Sequence, residues 1–323
     1  MKRIGFYVTA LLAGLWTSCS NVEDVVSPVE NEGQFVAVMA EGESRTAING
    51  SSVAWSNDDA LSIFRKNGYN TKYELKSLTN ETGIFKYTGD YTAPSDKFNE
   101  TVTKNYAVYP YGDDVAIVAN GEVSVTIPAT QSYKTITTDT GDEIPTFDPA
   151  AAFMVAAADD NQLAFKNANT LLKIELTQMP GDTGYTIEDI VLSSDSQMNG
   201  KATITIADNP TVTFDQVTQA SSSATNNSLT LDCGNNGVSV VSLDKDEPEV
   251  FYLVVTPGNY TGLKLTLKGK YNTANYEKEF DLSSLNAITR NQLVTIQYVC
   301  GSDDFNGSID NFDSTSGNVN VNN

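Results

Sequence analysis

The chain has 323 residues, enough for two domains of ordinary size. Its 41 acidic residues against 20 basic ones give a net charge of −21, which sets the surface against nucleic acid and anionic lipid and favours solubility, cations or a basic partner. It contains no histidine, so Ser-His-Asp and Cys-His catalysis and any histidine zinc site are excluded; carboxylate-pair or lysine chemistry alone stays open, and the chain is expected to be no enzyme and to need no cofactor.

The N-terminus reads as a secretory leader over residues 1–18. Lys2 and Arg3 precede an apolar stretch from Ile4 to Trp16 that is too short for a permanent span. Thr17 and Ser18 stand before Cys19 like a lipobox, with Trp16 where leucine is usual and Leu15 one place early. Cys19 is therefore the expected lipidation site, and several acyl chains there would anchor the protein stably in the outer membrane. Loss of Lys2 and Arg3 with the leader takes the charge from −21 to −23. Residues 19–33 are acidic and proline-bearing and read as a tether. Glu23 and Asp24 fall where an acidic surface-export signal would lie.

A strand is expected at "QFVAVM", with Phe35, Ala37 and Met39 on one side and Val36 and Val38 on the other. A polar joint, "AEGESRT", follows it and carries Arg45, one of three arginines after the leader, the others being Arg65 and Arg290. From there the chain is a succession of short alternating runs bounded by Gly, Asn, Asp and Pro, among them "NYAVYPY", "EVSVTIP", "LLKIELT", "KATITIA", "EVFYLVVTPG" and "LVTIQYV". In "LKLTLKGKY", Leu263, Leu265 and Leu267 share one face and Lys264, Thr266 and Lys268 the other, as in a strand with one face on a core. Such runs argue all-β structure built from β-sandwiches. The Ala-rich "DPAAAFMVAAADD" fits a short helix, a strand or a loop equally. "ADDNQLAFKNANT" reads as a joint, dividing a first domain at 34–162 from a second at 163–323.

Few residues point to chemistry. Asp58-Asp59, Asp113-Asp114 and Asp139-Asp142-Glu143 lack calcium-loop spacing and read as solvated turns, and no metal site is expected. Tyr106, Tyr109 and Tyr111 offer a sugar-stacking platform or ordinary packing, but the odd spacing of Tyr106 and Tyr109 puts those two on opposite faces of a strand. Trp55, the sole tryptophan after the leader, reads as core. Cys233 and Cys300 can bridge in an oxidising compartment or remain two buried thiols.

Taken in order, Cys19, "FVAVMAEGESRTA", "VAWSNDDALSIF", "YAVYPY", "IPATQ", "FKNANTLLKIEL", "FYLVVTPGNY" and "ITRNQLVTIQ" resemble the fimbrillin-like family of Gram-negative anaerobes, which includes type V pilus subunits. The resemblance implies two transthyretin-like β-sandwich domains in tandem, a cell-surface or fimbrial location, and other fimbrial subunits as partners. It further implies cutting between Arg45 and Thr46 by an Arg-specific protease, loss of the first strand, and filling of the vacated groove by a neighbouring subunit's strand. In that scheme the donor is C-terminal. Here that segment, "GSDDFNGSIDNFDSTSGNVNVNN", is polar, offers Ile309, Val319 and Val321, and reads equally as a final hairpin. Stalk, tip or accessory roles thus stay open beside a non-polymerising surface lipoprotein that holds glycan or host protein through its loops.

Overall fold

The computed structural model describes residues 33–40, 55–56, 58–79, 82–92, 98, 100–137, 141–215, 226–285 and 287–302, and the backbone alone at 305–311 and 321–322. The leader, Cys19, the tether and the Arg45–Thr46 joint lie outside the described residues.

Among the described residues the fold is all-β, as the alternation leads one to expect. The first half carries β1 (Gln34–Met39), β2 (Ala60–Phe64), β3 (Asn70–Thr79), β4 (Thr82–Thr92), β5 (Asn105–Tyr109) and β6 (Ala116–Ala119). It continues with β7 (Glu122–Ile127), β8 (Thr130–Ser132), β9 (Lys134–Thr137), β10 (Glu143–Thr146), β11 (Met154–Ala158) and β12 (Gln162–Asn167). The second half carries β13 (Thr170–Gln178), β14 (Tyr185–Ser193), β15 (Gly200–Thr205), β16 (Thr211–Phe214), β17 (Ser228–Asp232), β18 (Val238–Ser239) and β19 (Glu249–Val255). After these come β20 (Gly258–Asn259), β21 (Lys264–Tyr271), β22 (Ala274–Asp281), β23 (Ala287–Ile288), β24 (Gln292–Cys300), β25 (Phe305–Asn311) and β26 (Val321–Asn322). The Ala-rich stretch resolves into a 3₁₀ turn at Pro149–Ala151, capped by the Asp148 side chain, followed by β11.

In the first half β1, β12, β11, β5, β2, β3 and β4 close into a barrel, because β1 pairs with both β12 and β4. Alternate residues turn inward, and Phe35, Ala37, Leu61, Ile63, Phe85, Ala107, Leu163 and Phe165 fill the interior with no exposed surface. The outward faces of β2, β5 and β11 also carry apolar residues. Phe64, Val108 and Val155 pack under the sheet β16-β15-β7-β6 through Ile117, Val123, Val125, Ala202 and Ile204. A strand buried on both faces reads as a continuous apolar run, which is why "NYAVY" does not alternate with polar residues. In the second half the sheet β19-β13-β24-β25-β26 lies on the sheet β22-β21-β14-β17-β8 as a sandwich. Leu263, Leu265 and Leu267 point into that core as the sequence predicts. The C-terminal segment takes the hairpin form, β25 pairing with β24 and β26 with β25.

The expected division between residues 162 and 163 falls inside β12, a barrel strand. The halves also exchange strands. The first-half strand β8 pairs in parallel with β17, and the second-half strand β15 pairs with β7. Segment 144–152 then covers the outer face of β13 and β19, with Phe147 and Ala151 on Leu171, Tyr252 and Val254. Local alternation identifies a strand but not its partner, so this clasp leaves no mark in the sequence pattern.

Candidate functional site

The slot occupied by β1 is the candidate site. Phe35 stands opposite Phe85 and Val36 opposite Ile84 on the antiparallel side, while Ala37 stands opposite Leu163 and Met39 opposite Phe165 on the parallel side. The ends are held by Tyr87 N–H to Gly33 C=O (3.2 Å) and Ala40 N–H to Phe165 C=O (2.8 Å). Phe35 and Ala37 are fully buried and Met39 packs on the same core, whereas Val38 is 36% exposed on the outside. The two faces expected of this strand are therefore observed, although outward-facing Val36 is also buried.

The slot has an aromatic floor. Phe35 meets Tyr73 edge-on, with ring centroids 5.1 Å apart. At the other end Trp55 sits edge-on to Phe85 (5.1 Å), Tyr109 (5.5 Å) and Phe165 (5.5 Å). Trp55 is core, as expected, and fits because residue 83, opposite Ala37, is glycine: a Cβ there would lie 2.9 Å from the indole and 2.7 Å from the Phe85 ring.

Asp59 departs from the expected solvated turn. Its carboxylate accepts from Ser56 N–H (2.6 Å) and from the buried Tyr109 hydroxyl (2.9 Å), fixing the turn that delivers Trp55. Burial raises its pKa above the ordinary 3.8, against the opposing effect of these hydrogen bonds. With the folded value raised, its contribution to stability is complete below about pH 3.8 and is lost as the pH climbs through the folded pKa. Asp59→Asn, whose amide oxygen can serve Ser56 while its NH₂ donates to the Tyr109 oxygen, is expected to hold stability at pH 7 and to flatten the loss of stability as the pH rises above about 3.8. Urea titrations at several pH values check this, and a loss of several kcal/mol at pH 7 would refute it.

The other expected residues sort out as follows. Tyr106 packs under the four-stranded sheet and Tyr109 inside the barrel, on opposite faces as the odd spacing requires. The Tyr111 hydroxyl donates to Asp113 (2.5 Å) and its ring lies 5.4 Å from the Lys72 ammonium. The three thus form no shared platform. Arg65 is half-buried, its guanidinium 5.8 Å from the centre of the Phe35 ring. Arg290 is half-buried and donates to Asn167 C=O (3.1 Å) and Asn209 Oδ1 (3.3 Å). Both are half-buried and engaged. The bridge left open between Cys233 and Cys300 is not formed: both are free thiols, Cys300 buried and Cys233 half-buried, and burial pushes each up to about 12. Among the described residues no group of three metal-ligating side chains comes together, and no helix there is long and apolar enough to cross a membrane.

Two features escaped the sequence reading. Gln131, 1% exposed, donates Nε2–H to Val254 C=O (2.7 Å) and accepts Val254 N–H on Oε1 (2.8 Å), closing the edge of β19 across the two halves. Tyr87 and Tyr91 are large exposed aromatics on the β3–β4 ribbon. A buried glutamine carries no local signal, and the shared face of Tyr87 and Tyr91 depends on the β3–β4 register.

No family model matches this chain, and no curated protein matches it. Among solved structures, long but distant alignments are found. A "putative cell adhesion protein" from Bacteroides ovatus aligns over 85% of this chain and 94% of its own at 12% identity, with a TM-score of 0.48. Another of that name from Bacteroides uniformis aligns over 87% and 98% at 13% identity, with a TM-score of 0.44. A fimbrial assembly protein from Parabacteroides distasonis aligns over 90% and 98% at 9% identity, with a TM-score of 0.36.

Proposed function

We propose that the chain is a surface-anchored fimbrial subunit, or an accessory or tip adhesin, that assembles by protease-triggered β-strand exchange. The observation that carries this reading is the place of β1: one short strand closes the barrel, paired on both edges, with its inward side chains in the core. Cutting between Arg45 and Thr46 separates β1 from everything that follows it. Its departure leaves two open edges, β4 and β12, over an apolar floor, and such an edge acquires a new strand. Each restored backbone hydrogen bond contributes only about 1 kcal/mol net, so side chains entering the places of Phe35, Ala37 and Met39 supply most of the drive. Lipidation at Cys19 holds the precursor at the outer membrane until the cut, and the partners are further subunits of the same or another kind.

The test is trypsin treatment of the form lacking its leader, followed by sizing. The parent is expected to lose its N-terminal segment and form ladders, and Arg45→Ala to do neither. Ladders from Arg45→Ala equal to the parent's, or a cut protein that stays monomeric, would sink the reading. The second reading, a non-polymerising surface lipoprotein that binds glycan or host protein, is favoured by one observation, the exposed tyrosines Tyr87 and Tyr91 of β4.

A further inference from the structure

Past Lys86, which pairs with Gln34 of β1, strand β4 continues from Tyr87 to Thr92 alongside β3. Thr71 lies directly opposite Tyr91 and Tyr73 directly opposite Tyr87, so both β4 tyrosines stand on the face of the ribbon that carries Tyr73. The rings meet across the strands in two pairs. Tyr69 and Tyr91 are edge-on with centroids 5.4 Å apart, and Tyr73 and Tyr87 are tilted at 5.8 Å. Tyr73 is buried and anchors the second pair to Phe35, whereas Tyr87 is 44% and Tyr91 63% exposed. Rings held by neighbours yet open on one side lose little side-chain freedom when they bind.

Between the pairs the register slips, because β4 places Thr88, Gly89 and Asp90 between Tyr87 and Tyr91 where β3 has only Lys72. Gly89 has φ +101°, and nothing lies within 4 Å of where its Cβ would be. The ribbon thus has open space over Gly89 and an open tyrosine on either side, while the exposed Asp90 carboxylate is engaged by the Thr88 hydroxyl (3.4 Å).

We propose that this face is a binding platform for a neutral oligosaccharide. A sugar ring has an apolar C–H face, which stacks on an aromatic ring, and a rim of hydroxyls, which exchange hydrogen bonds with phenol and threonine hydroxyls. The gap at Gly89 admits a saccharide unit between the pairs. The net charge of −21 opposes sialylated and sulfated chains, which narrows the ligand class to neutral sugars. The site is on a ribbon, not on the loops where binding would first be sought, and it gives the second reading above its ligand class. It makes no use of strand exchange.

The test uses the intact protein and its uncleavable Arg45→Ala form, with free oligosaccharides of glucose, galactose, mannose and N-acetylhexosamines, their sialylated and sulfated counterparts, and an aromatic-rich peptide as a rival. Saturation-transfer NMR and titration read the binding. At least one neutral oligosaccharide is expected to bind both forms, Tyr91→Phe to retain it, and Tyr91→Ala to weaken it about tenfold or more, as truncation of a ring anchor does. Because Tyr91 is exposed, Tyr91→Ala should melt as the parent does. Failure of every neutral oligosaccharide to bind, a preference for the charged ones or for the peptide, or a Tyr91→Ala protein that binds as the parent does would overturn the proposal. Binding by both forms alongside a trypsin-cut parent that stays monomeric would leave this site standing and remove strand exchange.

Discussion

Replacing Phe35 with alanine is expected to lower the unfolding free energy by about 3–5 kcal/mol, the range for truncating a fully buried aromatic. Phe35 has no exposed surface, faces Phe85 directly across the strand pair, meets Tyr73 edge-on and lies under the Arg65 guanidinium. The first contribution is the apolar area returned to water on unfolding that alanine no longer hides. The second is the cavity left in a closed barrel, whose seven strands are tied edge to edge and have little freedom to collapse. Loss of the cation–π contact adds about 0.5–1 kcal/mol at a partly exposed site. Val38→Ala on the same strand is the control: its side chain is outward and 36% exposed, so a loss of about 0.5 kcal/mol or less is expected. Urea unfolding of both variants measures the difference. Equal losses would mean that β1 is not seated with Phe35 inward, and the slot argued for above would go with it. The same pair bears on exchange, because a weakened β1 should leave the slot sooner once its joint is cut.

What the sequence made legible was everything local. Period-two alternation located Leu263, Leu265 and Leu267 on the core side of β21, and the odd spacing of Tyr106 and Tyr109 placed them on opposite faces. The inward set of β1 and the core position of Trp55 were equally readable. What stayed hidden depends on contacts far apart in the chain. Asp59 looks like a turn aspartate and becomes a buried acceptor only because Tyr109 is brought to it. Arg65 gains its place over Phe35 only when β1 and β2 enter one barrel. The exchange of β8 and β15 between the halves has no counterpart in periodicity at all, since a strand's alternation is the same whichever sheet receives it.

That exchange makes Gln131 an exacting polar position, and Gln131→Leu is expected to remove several kcal/mol of stability. The side chain is 1% exposed and satisfies both Val254 N–H and Val254 C=O. It acts as one residue of strand at the edge of β19, a place where Phe147 and Ala151 keep water away. Leucine fills similar volume and makes neither bond, so a buried donor and a buried acceptor are left without partners, at about 1–3 kcal/mol each. Gln131→Glu separates this cause from packing. An ionised carboxylate still accepts from Val254 N–H but sets its second oxygen against the Val254 carbonyl, whereas a protonated one donates to it. The glutamate variant should therefore be destabilised at pH 7 and recover as the pH falls, and the leucine variant should show no such recovery. Because β8 lies in the second-half sheet and β15 and β16 in the first-half assembly, the parent and both variants are expected to unfold in one transition, with only the midpoint moved. Calorimetry of the three at pH 7 and pH 4 supplies both readings. Two separate transitions in the parent would show that the halves are not clasped. A leucine variant as stable as the parent would show that the Gln131 amide does not close the edge of β19.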